Sequence, residues 1–150
     1  MSYIDRLIDN CKAAKSAVPT REFELEDIAD LEGMKQAIYV IEEVGGDNES
    51  TFLQFSRYKE TKERKCAKLN APSQVMYVGS STTGVKKRIE QHLGDGHEGT
   101  YALHLKYWFS GKQRITIKQY DVSKDVLQII EDDLSDKLKP AFGKQGGNNK

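Results

Sequence analysis

Three short runs of β-branched and aromatic residues, set between longer helix-type stretches, constrain the fold of this chain most strongly. These runs predict strands at 36–42, 75–79 and 113–121. Amphipathic periodicity predicts helices at 3–17, 85–93 and 124–138. This order of elements predicts a small α+β domain in which helices flank a mainly antiparallel, three-stranded sheet.

The charge distribution suggests how the chain is organised around that sheet. The 150 residues carry 23 basic and 23 acidic side chains, which argues against nucleic-acid binding by bulk attraction alone. Residues 1–50 hold 5 basic and 12 acidic side chains, whereas residues 51–92 hold 9 basic and 3 acidic ones. Either two solvated helix faces or a phosphate-facing basic patch would explain the basic middle third.

We therefore divide the chain into an N-terminal extension and a main domain. Residues 1–34 are predicted to be an acidic helical extension with a short second helix at 24–33. Residues 35–150 are predicted to be the main domain, with a basic insertion at about 45–73. Two further helical stretches are expected, a basic helix between 59 and 68 and a helix at 100–110.

Cysteine usage and hydropathy bear on the compartment. Cys11 and Cys66 are far apart in the sequence and match no metal-ligand spacing, so we expect reduced thiols and a cytoplasmic protein. No apolar run is long enough to cross a membrane, and no signal peptide is expected at the N-terminus.

The helix at 124–138 carries an unusual carboxylate. Leu127, Glu131, Leu134 and Leu138 share one face, and burying a carboxylate within such a stripe is costly unless it has a partner. Glu131 either reaches solvent at the edge of the stripe or faces a cleft as a metal ligand or catalytic group. Periodicity alone does not separate these two interpretations.

The helix at 85–93 presents a second candidate pair. Arg88 and His92 lie one helical turn apart, beside an apolar stripe. An arginine fork can brace a phosphate, and a histidine one turn away can hydrogen-bond it or transfer a proton. An ordinary surface helix would also explain this pattern.

Two tripeptides in the predicted strands complete a resemblance to a known family. Ala37-Ile38-Tyr39 and Tyr77-Val78-Gly79 resemble the two halves of the GIY-YIG nuclease signature. The Arg88–His92 helix, Glu131 and Lys139-Pro140 are similar to later elements of that family, in the same order. The match covers roughly residues 35–145 and is typical of restriction-like or of phage and homing endonucleases.

The resemblance implies a metal-dependent DNA endonuclease. It implies that Tyr39 positions or deprotonates the attacking water, with Tyr77 beside it at the scissile phosphate. It also implies that Arg88 stabilises phosphate charge, that His92 assists, and that Glu131 holds one Mg²⁺ or Mn²⁺. A tyrosine acting as base would need its pKa lowered by nearby positive charge.

The chain departs from the family pattern at Ala37, in the long basic insertion and after Lys139-Pro140, and of these the insertion bears on DNA recognition. Ala37 replaces the first glycine, and Asn148 or Asn149 would have to replace an asparagine that usually follows the lysine-proline pair. We expect DNA contacts from basic side chains of the insertion and the following helix, namely Arg57, Lys62, Arg64, Lys65, Lys86 and Lys87. Double-strand cleavage would call for a homodimer or two sequential cuts.

The alternatives to a nuclease are a non-catalytic nucleic-acid-binding module and a protein-interaction module that retains the fold.

Overall fold

A computed structural model describes residues 1–144 of the chain. Within that range the α-helices are α1 (Tyr3–Ser16), α2 (Asn48–Glu60), α3 (Val85–Leu93) and α4 (Lys124–Leu138). The strands are β1 (Arg21–Glu24), β2 (Ala37–Val44), β3 (Val75–Ser81) and β4 (Lys112–Gln119). Two short 3₁₀ turns lie at Ile28–Leu31 and Leu105–Tyr107. None of the helices in residues 1–144 combines the length and the apolar character needed to span a membrane.

The sheet has four strands, so the predicted three-stranded sheet is wrong, although the α+β class is correct. Its strand order is β1-β4-β2-β3 and its neighbouring strands pair antiparallel. The additional strand is β1, which lies in the predicted N-terminal extension, between the helices expected at 3–17 and 24–33. The second of these helices is wrong, since only the 3₁₀ turn Ile28–Leu31 forms there. Strand β1 pairs with β4 along its whole length, from Arg21 opposite Gln119 to Glu24 opposite Thr116.

Strand β1 escaped prediction because its sequence carries little strand character. Phe23 is its one apolar residue, and the other three residues are charged. Its stability comes from its partners: Phe23 lies opposite Ile117, and the Arg21 guanidinium lies 4.2 Å from the centre of the Phe23 ring. Charged side chains on an edge strand also discourage pairing with other chains.

The two central strands bring the tyrosines to the same face of the sheet. Tyr39 lies opposite Gly79, and Ile41 lies opposite Tyr77. Because side chains two residues apart point to one face, Tyr39 and Tyr77 project together. Their rings are nearly parallel, with centroids 6.2 Å apart.

Helices α3 and α4 lie on opposite faces of this sheet. Arg88 and His92 of α3 bond to the hydroxyls of Tyr77 and Tyr39 on one face. Ser80 points to the other face by strand alternation, and there it bonds to Glu131 of α4. Strand β3 is at the edge of the sheet, so side chains from both faces can meet around it.

The predicted basic insertion has a different internal structure from the one expected. Helix α2 begins after the Asp47 cap and ends at Glu60, and it buries Thr51, Phe55 and Tyr58 on one side. The basic helix predicted between 59 and 68 does not form. Apolar residues at helical spacing stop at Tyr58, and Lys62 adopts a left-handed conformation with φ of 58°.

The helix predicted at 100–110 is also wrong. Only Leu105–Tyr107 forms a 3₁₀ turn, and His104 before it is left-handed with φ of 51°. Tertiary contacts hold this segment instead. The indole of Trp108 donates to the Leu103 carbonyl at 2.7 Å, and its ring packs on Phe55.

Candidate active site

The two strand tyrosines form the floor of a cleft at the open edge of the sheet. Tyr39 is 1 % exposed and Tyr77 is 4 % exposed. Gly79 leaves room for them, because a Cβ at this position would lie 2.5 Å from the Tyr39 hydroxyl oxygen and 2.8 Å from Tyr77 Cε1. The glycine of the second tripeptide is therefore a packing requirement of the tyrosine pair.

Arg88 is held by three groups. Its Nη2 atom donates to the Tyr77 hydroxyl at 3.2 Å and to the Tyr101 carbonyl at 3.1 Å, while Nη1 donates to Gln91 at 2.9 Å. These bonds fix the plane of the guanidinium. Burial opposes its charge, but the oxygens of Tyr39 and Tyr77 outweigh that effect and raise the pKa of Arg88.

His92 lies behind the tyrosines and is fully buried. Its Nε2 atom lies 3.1 Å from the Tyr39 hydroxyl, and its Nδ1 accepts the backbone N–H of Leu103 at 3.1 Å. Burial and the nearby charge of Arg88 lower the pKa of His92 well below its usual value. The imidazole is therefore neutral at physiological pH.

The environment of Tyr39 is less favourable to ionisation than the family resemblance led us to expect. Burial raises the pKa of Tyr39 above its usual range, and the positive charge of Arg88 only partly offsets this. A role as base would need this pKa to be lowered by nearby positive charge. Among the side chains of the cleft, desolvation outweighs the charge of Arg88, which favours the neutral phenol of Tyr39.

Glu131 is buried rather than solvated, with 6 % of its surface exposed. Its Oε1 accepts the Ser80 hydroxyl at 2.6 Å and its Oε2 accepts the Gln128 amide at 3.1 Å. Burial raises the pKa of Glu131 despite these two hydrogen bonds, which lower it. The interpretation in which Glu131 faces a cleft is therefore the one that the structure supports.

These side chains meet at a cleft of about 150 Å³. Its lining residues are Tyr39, Tyr77, Val78, Gly79, Ser80, Arg88, Gln128, Glu131 and Lys144. Four of the five predicted catalytic residues thus share one cavity. The fifth, His92, contacts it only through the rings and hydroxyl of the tyrosines.

The oxygen-rich side of the cleft fits a hard divalent cation. Each Glu131 oxygen accepts one hydrogen bond and retains acceptor capacity, and the raised pKa indicates a carboxylate that positive charge would stabilise. Among residues 1–144 no three Asp, Glu, His or Cys side chains converge on one point. A cation here would therefore rest on Glu131 and keep most of its water, as Mg²⁺ does readily.

The predicted DNA-binding residues are distributed unevenly around the cleft. Lys87 lines a 270 Å³ depression together with Arg88, which also lines the cleft. Lys86 is paired with Glu32 at 2.7 Å, and Arg64 stacks on the Tyr107 ring at 4.0 Å. Of these six side chains, four are exposed and take part in no ion pair with another residue of the range 1–144, namely Arg57, Lys62, Lys65 and Lys87.

Sequence reasoning missed three residues of the cleft. Ser80 and Gln128 bond to Glu131, and Lys144 lines the cleft and lowers the pKa of that carboxyl by its charge. Gln128 could have been noticed, since it lies three residues before Glu131 on one helix face. Nothing local marks Ser80 or Lys144. Asn148 and Asn149, the proposed replacements for the family asparagine, lie outside the described residues.

Comparison with models of known families, with curated proteins and with solved structures yields no match to this chain. The resemblance to GIY-YIG nucleases therefore depends on the sequence motifs alone.

Proposed function

We propose that this chain is a metal-dependent endonuclease of the GIY-YIG type that hydrolyses DNA phosphodiester bonds. One observation carries the proposal: Tyr39, Tyr77, Arg88 and Glu131, from four different elements, line a single small cleft. A tyrosine pair, a fixed guanidinium and a buried carboxylate have little structural reason to converge. Together they suit a reaction in which negative charge grows on a phosphate.

Each residue can be given a chemical role. Arg88 stabilises charge on the phosphate oxygens as the bond to the leaving oxygen breaks. Tyr39 orients the attacking water by hydrogen bonding, and Tyr77 holds the guanidinium beside it. Glu131 would hold Mg²⁺ or Mn²⁺, which supplies positive charge and favours ionisation of nearby water. His92 fixes the orientation of Tyr39 from behind.

The decisive experiment compares Glu131→Gln with Asp133→Asn on supercoiled plasmid in Mg²⁺ and in Mn²⁺. Asp133 is an exposed carboxylate on the same helix, paired with Lys137, so it is a matched control for loss of one negative charge. We expect Glu131→Gln to lower the cleavage rate about 100-fold or more, by the scale of other preorganised electrostatic groups. Asp133→Asn should cut like the wild type.

A wild-type chain inactive on all DNA topologies would overturn the proposal. Binding without cleavage in either metal would favour the non-catalytic module instead. Because one such cleft cuts one strand, linear product that forms without a nicked intermediate would indicate a homodimer, whereas nicked plasmid that is linearised later would indicate two sequential cuts. The free thiols Cys11, which is exposed, and Cys66 support our placing the protein in the cytoplasm.

A further inference from the structure

A second cavity adjoins the cleft and carries a concentration of positive charge. It has a volume of about 270 Å³. Its lining residues are Lys68, Asn70, Ala71, Ser135, Lys139, Pro140, Gly143 and Lys144. Three of these are lysines and none is acidic, within the part of the chain that the structure describes. We call this cavity the lysine pocket.

The walls of the lysine pocket are tied together before any ligand arrives. The side-chain amide of Asn70 donates to the Pro140 and Gly143 carbonyls at 3.1 and 2.9 Å. The backbone N–H of Asn70 donates to Ala141, and that of Gly143 donates to Lys68, both at 2.8 Å. These bonds join the end of the basic insertion to the segment after α4. A pocket fixed in this way loses little entropy on binding.

Ser135 supplies a second, independent sign of a ligand. Its hydroxyl is buried at the wall of the pocket and has no hydrogen-bond partner among residues 1–144. Unsatisfied buried polar groups are uncommon and call for an explanation. A hydroxyl can donate to an anionic oxygen, which the neighbouring lysines would also attract.

The lysine pocket lies next to the cleft. Lys144 lines both cavities, and Ser135 lies one helical turn beyond Glu131 on α4. One turn rises about 5.4 Å, a distance on the scale of one or two nucleotide steps of about 3.4 Å. Lys139 forms an exposed ion pair with Asp136 at 3.3 Å. Exposed ion pairs contribute little to stability, so Lys139 can readily leave Asp136 for a phosphate.

We propose that the lysine pocket binds a backbone phosphate of the cleaved DNA strand, one or two nucleotides from the phosphate in the cleft. This inference rests on the proposed function, because it names how the same site holds its substrate. It also gives the end of the basic insertion a role, through Lys68 and Asn70. The pocket sets the register of the strand and leaves the base sequence unread.

The test measures binding separately from cleavage. All variants carry Glu131→Gln, and fluorescence anisotropy reports binding to a short DNA duplex over a range of salt concentrations. We expect Lys68→Ala and Lys139→Ala each to weaken binding about 3- to 10-fold and to reduce the salt slope by about one. Lys137→Ala is the matched control, since Lys137 also lies near the end of α4, outside the pocket, in an exposed pair with Asp133.

A second arm locates the phosphate. A series of duplexes each replaces one phosphate by an uncharged methylphosphonate. Methylphosphonate substitution at one position should weaken DNA binding by the Lys137→Ala protein. The same substitution should have little further effect on DNA binding by the Lys68→Ala, Lys139→Ala double variant. If every position acts alike on both proteins, or if Lys137→Ala is as harmful as the pocket variants, the proposal is wrong.

Ser135→Ala gives a check that lysine variants cannot. Removing an unsatisfied buried hydroxyl should leave the melting temperature equal or higher, while DNA binding falls about 2- to 5-fold, on the scale of one hydrogen bond. Unchanged binding would refute the role of Ser135. None of these measurements needs cleavage. A chain that binds phosphate in the lysine pocket but does not cut DNA would therefore refute the proposed function and leave the pocket proposal standing.

Discussion

The neutral His92 ring donates a hydrogen bond from Nε2 to the hydroxyl oxygen of Tyr39, over 3.1 Å. The direction follows from the other ring nitrogen. Nδ1 accepts the Leu103 N–H, and a neutral imidazole has a single proton, which must therefore be on Nε2. This arrangement favours a positioning role for His92 over removal of the Tyr39 proton, the two roles that the sequence left open.

This direction predicts how His92 variants behave. Gln can place an amide donor near the position of Nε2, whereas Ala removes the donor altogether. We expect His92→Gln to keep cleavage within about tenfold of the wild type and His92→Ala to lose about 100-fold or more, by the scale of a single preorganised donor. Equal losses in both variants, measured as single-turnover rates on plasmid, would favour a proton-transfer role.

Acid should destabilise the protein through the same histidine. Burial lowers the pKa of His92 in the folded chain, whereas the unfolded chain titrates near 6.5. Below about pH 6.5 His92 is protonated in the unfolded chain but not in the folded chain. The free energy of unfolding therefore falls as the pH drops. His104, also buried with a lowered pKa, adds to this trend.

Melting temperatures between pH 7.5 and 5 will check this. The wild type should lose stability with acid, and His92→Gln should lose less. His97→Gln is the control, because His97 is exposed. A His92→Gln profile parallel to that of the wild type would show that this residue does not cause the acid sensitivity.

The burial of Glu131 should lower the stability of the folded chain while the carboxylate supports cleavage. Burial raises its pKa, so above about pH 4.5 the unfolded chain releases a proton that the folded chain retains, and stability falls as the pH rises through the raised value. In EDTA at pH 7, Glu131→Gln should therefore melt at the same or a higher temperature than the wild type, even though its cleavage is lost.

Magnesium should reverse that order. A cation that binds only the folded state stabilises it by mass action. Excess Mg²⁺ should therefore raise the melting temperature of the wild type and of Asp133→Asn, but not that of Glu131→Gln. A wild-type melting temperature that does not respond to Mg²⁺ or Mn²⁺ would count against Glu131 as the metal ligand.

Gly79→Ala should damage the site from within the sheet. The added methyl would lie 2.5 Å from the Tyr39 hydroxyl oxygen, so one tyrosine must move. We expect a loss of about 1–3 kcal/mol in the free energy of unfolding, typical of overpacking, and a larger relative loss of cleavage. Gly84→Ala is the control: a Cβ there meets nothing within 4 Å. Its cost should stay within about 1 kcal/mol, since Gly84 precedes α3 as its N-cap.

The sequence alone determined the elements whose pattern is local. Apolar periodicity located α3 and α4 to the residue, and it put Arg88 and His92 on one helix face, because a helix repeats every 3.6 residues whatever it packs against. Strand-type runs located β2, β3 and β4, and these carry both tyrosines. The class of fold followed from their order.

Only the tertiary structure decided the features that depend on partners far away in the chain. Strand β1 forms because it pairs with β4, which lies nearly a hundred residues later in the chain. The residues of β1 have too little strand preference of their own for the strand to be predicted. Glu131 bonds to Ser80 of the distant strand β3 on one face of the sheet, and the lysine pocket lies where Asn70 bonds to the segment after α4. Burial and convergence are properties of packing between distant segments, and no local window of sequence contains them.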